Sequence, residues 1–293
     1  MALSKLSGDV QRIIFRKLCN VAEIGDTRLL LYPRDAVAFS SASSELRALM
    51  KAELLELLQL RKAWLEEVEA VARKAGKRSY KKVSNAKSVQ CVRRGVSTDD
   101  LATLGTLCGI LPRLQDLRVI EPAADGVQRL AEKLGAGALP AVTLLRLGGM
   151  HVGDSGASAL AAALGRGALP RLKTLQLNWA AIGDEGLVAL APALRRLPAL
   201  ETLNLSSNPF GDVGLHVLVA PTLPAVAPPP IGALAELKVL YLGNTGITDA
   251  GCTAIVAALD SGVLPALKRL YLRGIPASAA AWTVWRAGVQ VSF

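Results

Sequence analysis

The sequence lacks several features on which enzymes, secreted proteins and membrane proteins commonly depend. Only 4% of its residues are aromatic, it has two histidines in 293 residues, and its four cysteines are scattered without paired spacing. Scattered cysteines predict neither a disulfide framework nor a zinc site, and they fit a reducing compartment. There is no run of about 18 apolar residues, which a membrane-spanning helix would need.

Motifs of catalysis are also missing. Neither His151 nor His216 has a nucleophile at a matching place, and the sequence contains no G-x-x-x-x-G-K-[ST], G-x-S-x-G or H-E-x-x-H. Charged residues interrupt the first turns of the chain every few positions, so the apolar core of a signal peptide is absent. We therefore expect a non-catalytic protein without cofactor or metal, located inside the cell in the cytoplasm, the nucleus or both.

What the sequence does contain is a repeat. The start-to-start spacings of its copies are 28, 30, 28, 37 and 30 residues, and a period in this range is typical of a solenoid. Each copy follows the pattern L-x-x-L-x-x-L-x-L, with a few apolar replacements. The last two apolar residues alternate with one other residue, which predicts a short strand with one buried face. The copies begin at Leu111, Leu139, Leu169, Leu197, Leu234 and Leu264.

A turn with an acid and a glycine usually follows each strand, and an Ala/Leu-rich stretch comes next. Residues 183–186, Gly-Asp-Glu-Gly, are one such turn, and 157–164 are one such helical stretch. The aspartate is predicted to cap its helix, since a carboxylate can accept hydrogen bonds from the free N–H groups of a first turn. One strand–helix unit cannot bury its own apolar face, so stacked copies should bury it against one another.

These repeats resemble the leucine-rich repeat family, in the ribonuclease-inhibitor-like subtype with a full helix in each repeat. The resemblance covers residues 111–293, and a degenerate further copy with Ala86, Val89 and Cys91 at its apolar positions extends the repeats to 83–293. It implies an α/β fold, a horseshoe-shaped solenoid of about six to seven repeats, with an α-helical region before it.

One position departs from the family pattern. Leucine-rich repeats often place an inward Asn or Cys just after the strand, where it bonds to the turn backbone. Most copies of this chain have an apolar residue there, which predicts that packing holds these turns. The residues at this position are Pro122, Met150, Ala180, Asn208, Thr245 and Ile275.

The region before the repeats, residues 1–50, is predicted to be helical. Residues 1–18 and 35–50 have the pattern of two amphipathic helices separated by a loop. Over residues 5–50 they resemble an F-box, with an opening apolar helix and a closing helix of apolar residues, Ser, Leu and Arg. The resemblance implies docking to a Skp-type adaptor of a ubiquitin ligase. The adaptor-binding residues would be Leu6, Val10 and Ile14.

Residues 51–82 are predicted to form a long helix with a basic end. Residues 61–95 contain eleven Lys or Arg against three Glu, whereas the rest of the chain is close to neutral. The helix either caps the first repeat and continues as a solvated linker, or its end binds nucleic acid or another anionic surface through 73–94. The basic patch consists of Arg73, Lys74, Lys77, Arg78, Lys81 and Lys82.

A proline-rich stretch interrupts the repeats. Residues 221–230, PTLPAVAPPP, account for the spacing of 37 residues between two of the copies. Proline prevents the preceding helix from continuing and stiffens the loop. The stretch is either a tolerated insertion or a docking arm that contacts a partner.

A protein partner is expected on the concave face, which the strands of such a horseshoe line. The residue between the last two apolar positions of each strand points into that face, and residues just after the strand lie beside it. Arg, Tyr and Trp, which carry much of the energy in protein interfaces, are well represented among them. The predicted partner-binding residues are Arg118, Arg146, Gln176, Asn178, Trp179, Asn204, Tyr241, Asn244, Tyr271 and Arg273.

Three functions follow from these patterns. The first is a non-catalytic protein–protein interaction module that serves as an F-box substrate receptor of a ubiquitin ligase. The alternative is a structural scaffold or assembly subunit of a larger complex, whose N-terminal helices simply cap the solenoid. The third is binding of a nucleic acid or an anionic surface through 73–94. No small-molecule substrate is expected.

Overall fold

A computed structural model of the chain describes most of the repeat region. Single residues of a preceding helix, Glu66, Glu69, Ala70 and Arg73, are also described. The predicted adaptor-binding residues Leu6, Val10 and Ile14, most of the basic patch and the proline-rich stretch lie outside the described residues. The described ranges are 86–92, 97–107, 111, 113–120, 125–148, 152–220, 234–276 and 289–292.

Strand and helix alternate along the described chain, as the repeat pattern predicts. The elements are β1 (Ser88–Val92), α1 (Thr98–Leu107), β2 (Asp116–Ile120), α2 (Gly126–Lys133), β3 (Leu144–Gly148), α3 (Gly153–Gly165), β4 (Thr174–Gln176), α4 (Asp184–Leu194), β5 (Thr202–Asn204), α5 (Asp212–Val219), β6 (Val239–Tyr241), α6 (Asp249–Asp260), β7 (Arg269–Tyr271) and β8 (Gln290–Ser292).

The strands form one eight-stranded parallel sheet in which neighbours in space are neighbours in sequence. Successive parallel strands need a crossover, and the right-handed preference of crossovers places all the helices on the same face of the sheet. Val89 and Cys91 pair with Leu117 and Val119, so the degenerate first copy has the same register as the others. The predicted α/β solenoid is confirmed, and β8 adds a strand that the leucine pattern did not reveal.

The core is a continuous column of leucines between the sheet and the helices. Leu175, Leu203 and Leu240 lie side by side in adjacent strands, and all three are fully buried. From the helix side, Ala157 and Leu160 of α3 are buried against the same core. Each fully buried leucine side chain stabilises the fold by about 1.5–3 kcal/mol, and every repeat covers the apolar faces of its neighbours.

The recurrent aspartates do cap helices, but the prediction named the wrong helix. The Asp154 carboxylate accepts hydrogen bonds from the N–H groups of Gly183 (2.7 Å) and Gly186 (3.1 Å), which open α4 in the next repeat. Asp154 itself lies inside the first turn of α3, the helix that it was predicted to cap. A Cβ at Gly186 would collide with the Asp154 carboxylate, so glycine is needed for this contact.

The same bridge recurs along the solenoid. Asp184 accepts hydrogen bonds from the N–H groups of Gly211 (3.0 Å) and Gly214 (2.7 Å) at the start of α5. Asp212 likewise accepts one from the N–H group of Thr248 (2.8 Å), just before α6. Because each carboxylate also faces the positive end of the next helix dipole, these bridges tie adjacent repeats together at the helix N-termini.

Polar contacts hold the turns after the strands at the two copies that have a polar residue at this position. Asn208 is buried in the turn after β5, and its side chain bonds to the backbone of two repeats. Thr245 is also buried, and its hydroxyl donates a hydrogen bond to the carbonyl oxygen of Leu242 at 2.7 Å. Ala180 is fully buried, but its turn also depends on Asn208, whose Oδ1 accepts a hydrogen bond from the Ala180 N–H group at 3.1 Å.

Candidate functional site

Parallel pairing brings six of the ten predicted partner-binding residues into one row. The residues that alternate with them along each strand are buried leucines or other apolar residues, so the row lies on the face turned away from the helices. Gln90 and Ser292 extend this row at its two ends and were not predicted, although Gln90 stands 28 residues before Arg118. The central row is Gln90, Arg118, Arg146, Gln176, Asn204, Tyr241, Tyr271 and Ser292.

A second row, the edge row, runs along the carboxyl ends of the last strands. Its members are three residues beyond their neighbours in the central row, and all have positive φ angles between 53° and 74°. The backbone ladder continues through it: the Ser207 N–H group donates to the Gly243 carbonyl at 2.8 Å, and the Asn244 N–H group donates to the Arg273 carbonyl at 2.7 Å. The edge row is Trp179, Ser207, Asn244 and Gly274.

Trp179 is the most unusual member of the edge row. Its side chain is 60% exposed, and its φ angle of 58° is one that bulky residues rarely adopt. The left-handed conformation costs a non-glycine residue about 1–2 kcal/mol, and exposure of a large aromatic surface is a second cost. Asn178, just before it, is half-buried at the end of β4. With 60% of its surface exposed, the Trp179 side chain lies mostly outside the core.

The tyrosines of the central row form a stacked pair. The ring centroids of Tyr241 and Tyr271 are 4.3 Å apart and the planes differ by 9°. Adjacent strands lie at nearly this spacing, so equal register is enough to stack the rings. Burial and the neighbouring Tyr271 raise the pKa of the Tyr241 hydroxyl, which therefore stays protonated and can donate a hydrogen bond at neutral pH.

Arginines lie near both ends of the central row, in different electrostatic settings. Arg118 forms a two-pronged ion pair with Asp116 of its own strand, with Nη2 at 2.8 Å and Nε at 3.0 Å from the carboxylate oxygens. The charges of Arg118 and Asp116 are therefore paired with each other.

Arg146, one strand further, makes no ion pair with any described residue. Arg269 and Arg273 lie two residues before and after Tyr271, and both are exposed.

A separate ion-pair chain borders the sheet just before β4, β5 and β6. Glu201 lies between two lysines of adjacent repeats, with Lys173 Nζ at 3.0 Å and Lys238 Nζ at 2.9 Å from its carboxylate oxygens. Hydrogen bonds and charge from both lysines lower the pKa of Glu201, and Glu201 raises the pKa of Lys238. The single carboxylate is therefore fully engaged and does not serve the central row.

Neither described cysteine has the setting of a catalytic nucleophile. Cys91 and Cys252 are buried, and burial raises the pKa of each thiol to about 11, so both stay protonated and poorly nucleophilic at neutral pH. Where the structure describes side chains, no group of three or more His, Cys, Asp or Glu could hold a metal ion. None of the described helices is long and apolar enough to cross a membrane.

Parallel strands, alternating helices and an open polar face define a repeat protein of the solenoid class. The leucine-rich repeat family model matches residues 169–191, 197–219 and 236–256. The chain therefore contains leucine-rich repeats, which typically form non-catalytic protein-interaction modules with extended binding faces. The ribonuclease-inhibitor-like subtype and the F-box stay predictions.

Other comparisons add little. No curated protein matches this sequence. Among solved structures, an internalin from Listeria monocytogenes is similar over 78% of this chain and 94% of its own, with 13% sequence identity and a TM-score of 0.28. A likeness at that TM-score supports no argument about function.

Proposed function

We propose that the repeats bind a protein partner across the central row and the edge row, without catalysis. The observation that carries this proposal is the set of aromatic residues in the central row and the edge row. It combines the stacked Tyr241 and Tyr271 with a Trp179 that is 60% exposed on a costly backbone conformation. Residues kept in a strained and exposed state commonly serve recognition, and Tyr, Trp and Arg dominate interface energetics.

Blocking the middle of the central row is the direct test. Gln176→Arg places a longer charged side chain at a half-buried row position, and we expect it to abolish capture of the partners that the tagged wild-type chain retains. The matched control is Ala162→Arg, on an exposed position of α3 away from the sheet. Capture followed by quantitative mass spectrometry measures both variants. Equal capture by wild type and both variants would contradict binding on the sheet face.

For the region before the repeats, we propose docking to a Skp-type adaptor, which would make the chain a substrate receptor of a ubiquitin ligase. The support is the F-box resemblance over residues 5–50 and its place directly before leucine-rich repeats. The scaffold alternative has its own support. β1 is the first strand of the sheet, and a solenoid end exposes apolar surface that a helical cap must cover.

Co-purification of the full chain with a purified Skp-type adaptor separates these possibilities. The receptor proposal expects binding that Ile14→Asp abolishes and that Ser158→Asp, an exposed control on α3, leaves intact. Absence of binding, together with a lower unfolding midpoint of the repeats after deletion of residues 1–50, favours the scaffold. Binding of a polyanion that weakens steeply with salt favours the third function, provided that neutralising Lys77, Arg78, Lys81 and Lys82 removes it.

A further inference from the structure

Charge along the repeats is divided unevenly. Residues 96–260 contain eleven Lys or Arg against fourteen Asp or Glu. Asp260 is the last acidic residue of the chain, and the cations beyond it have no acidic neighbour in sequence. The last strands of the sheet are therefore positively charged, although the repeats as a whole are close to neutral. The cations after Asp260 are Lys268, Arg269, Arg273 and Arg286.

Two of these cations lie on the open face beside the tyrosine pair. Arg269, Tyr271 and Arg273 alternate with the buried Leu270 and Leu272, so they share one face of the last repeats. Arg269 and Arg273 are exposed and have no ion-pair partner among the described residues. At the other end of the row, Asp116 stands two residues before Arg118 and pairs with it, but no acid occupies a comparable position here.

Uncharged residues complete this surface on the neighbouring strands. Val239 occupies the outward position of β6 next to Arg269, and Gln290 occupies that of β8 on its other side. Glu201, which lies just before β5, is held by Lys173 and Lys238, and Glu236, which lies just before β6, forms no ion pair with Arg269 or Arg273. The described residues therefore present two exposed guanidinium groups around an aromatic stack, and no described carboxylate forms an ion pair with them.

We propose that this basic aromatic patch, formed by Tyr241, Arg269, Tyr271 and Arg273, binds an acidic segment of the protein partner. The inference rests on the proposed function and names the chemistry of the partner. Planar guanidinium groups bind carboxylates through two parallel hydrogen bonds, and Arg269 and Arg273 present such groups on either side of Tyr271. The stacked rings supply apolar surface against which the segment can pack between its charges.

An acidic peptide fits this patch better than a nucleic acid. Single-stranded nucleic acids stack their bases on separate exposed rings, and the two tyrosines already cover each other with centroids 4.3 Å apart. That separation leaves no gap for a base between the rings. Both tyrosines are also half-buried in the row, which suits packing of side chains along the edges of the stack.

Selection from a random peptide library displayed on phage, with the full chain as bait, tests the proposal. We expect the selected peptides to be enriched in Asp and Glu. For a fluorescently labelled peptide from that selection, Arg269→Gln/Arg273→Gln should weaken binding about tenfold or more. The control Arg113→Gln/Arg171→Gln removes the same charge from exposed turns and should change the affinity by less than about twofold. All four replaced side chains are exposed, so the fold is retained.

Three results would overturn the acidic-segment proposal. In the first, the selected peptides are not enriched in Asp and Glu, and their binding is lost with Gln176→Arg but unchanged with Arg269→Gln/Arg273→Gln. The sheet face would then still be the binding site, but its partner would not be acidic. In the second, either all of these variants bind the selected peptides as well as the wild type does, or the selection yields no peptide. Either outcome would contradict both proposals. In the third, a single-stranded DNA oligonucleotide displaces the labelled peptide with an affinity equal to that of the peptide. The patch would then be a nucleic-acid site.

Discussion

Replacement of Asn208 by alanine is expected to lower the free energy of unfolding by about 3–5 kcal/mol, more than any polar substitution elsewhere in the repeats. Asn208 is 2% exposed in the turn after β5. Its Oδ1 accepts hydrogen bonds from the N–H groups of Ala180 (3.1 Å) and Ile182 (3.0 Å) in the preceding repeat. Its Nδ2 donates to the carbonyl oxygens of Leu177 (2.8 Å) and Leu205 (2.7 Å).

The size of this effect comes from the groups left behind. Alanine would leave two N–H groups and two carbonyl oxygens inside the protein without their partner, and each unsatisfied buried group costs about 1–3 kcal/mol. Some of that cost is recovered as water enters the vacated space. The side-chain amide is oriented by this set of donors and acceptors. Asn208→Asp should also destabilise the fold, because the oxygen that replaces Nδ2 would face the two carbonyl oxygens.

Urea denaturation of the variants checks this prediction, and the chain offers a matched asparagine. Asn178 is half-buried at the end of β4, and Asn178→Ala should cost less than about 1 kcal/mol. Equal midpoints for Asn208→Ala and Asn178→Ala would mean that the hydrogen bonds of Asn208 contribute little. An unchanged m-value is required, so that the midpoints report stability alone.

The strand register was predictable because it depends on a pattern that the sequence displays. Leucines at fixed spacing have to lie side by side if each is to be buried, and this alone places Arg146 beside Gln176. The same rule identified the degenerate first copy, since Val89 and Cys91 fill leucine positions. β8 was not predicted, because its valines at 289 and 291 do not follow the spacing of the leucine repeats.

Contacts between repeats were not predictable, because they join residues that no local motif links. The bond from the Gly183 N–H group to Asp154 spans 29 positions of sequence. A sequence motif suggests that such an aspartate caps the helix that it begins. The packing of adjacent repeats places the N-terminus of the next helix within reach of the carboxylate instead. Arg269 was missed for a different reason. It is the first residue of β7, two residues before Tyr271. Because side chains alternate along a strand, Arg269 lies on the same open face as Tyr271.

The second prediction concerns Trp179. Trp179→Asn should weaken binding of the partner by about 30-fold or more, while the free energy of unfolding changes by no more than about 1 kcal/mol. Asparagine tolerates a positive φ better than tryptophan does, and Asn244 occupies the equivalent place two repeats further, with a φ of 53°. Relief of the backbone strain offsets most of the roughly 2 kcal/mol lost with the buried part of the indole ring.

Ala181 supplies the control for this variant. It is exposed, has a φ of 54° and belongs to neither row, so Ala181→Asn should leave the affinity within about threefold. Affinity for a selected peptide or a captured partner and stability in urea are measured on the same preparations. A loss of stability well above 1 kcal/mol with intact binding would identify Trp179 as a packing residue. A loss of binding with near-normal stability would mean that the strain at residue 179 is kept for recognition, because no structural role would then remain to explain an exposed tryptophan in a left-handed turn.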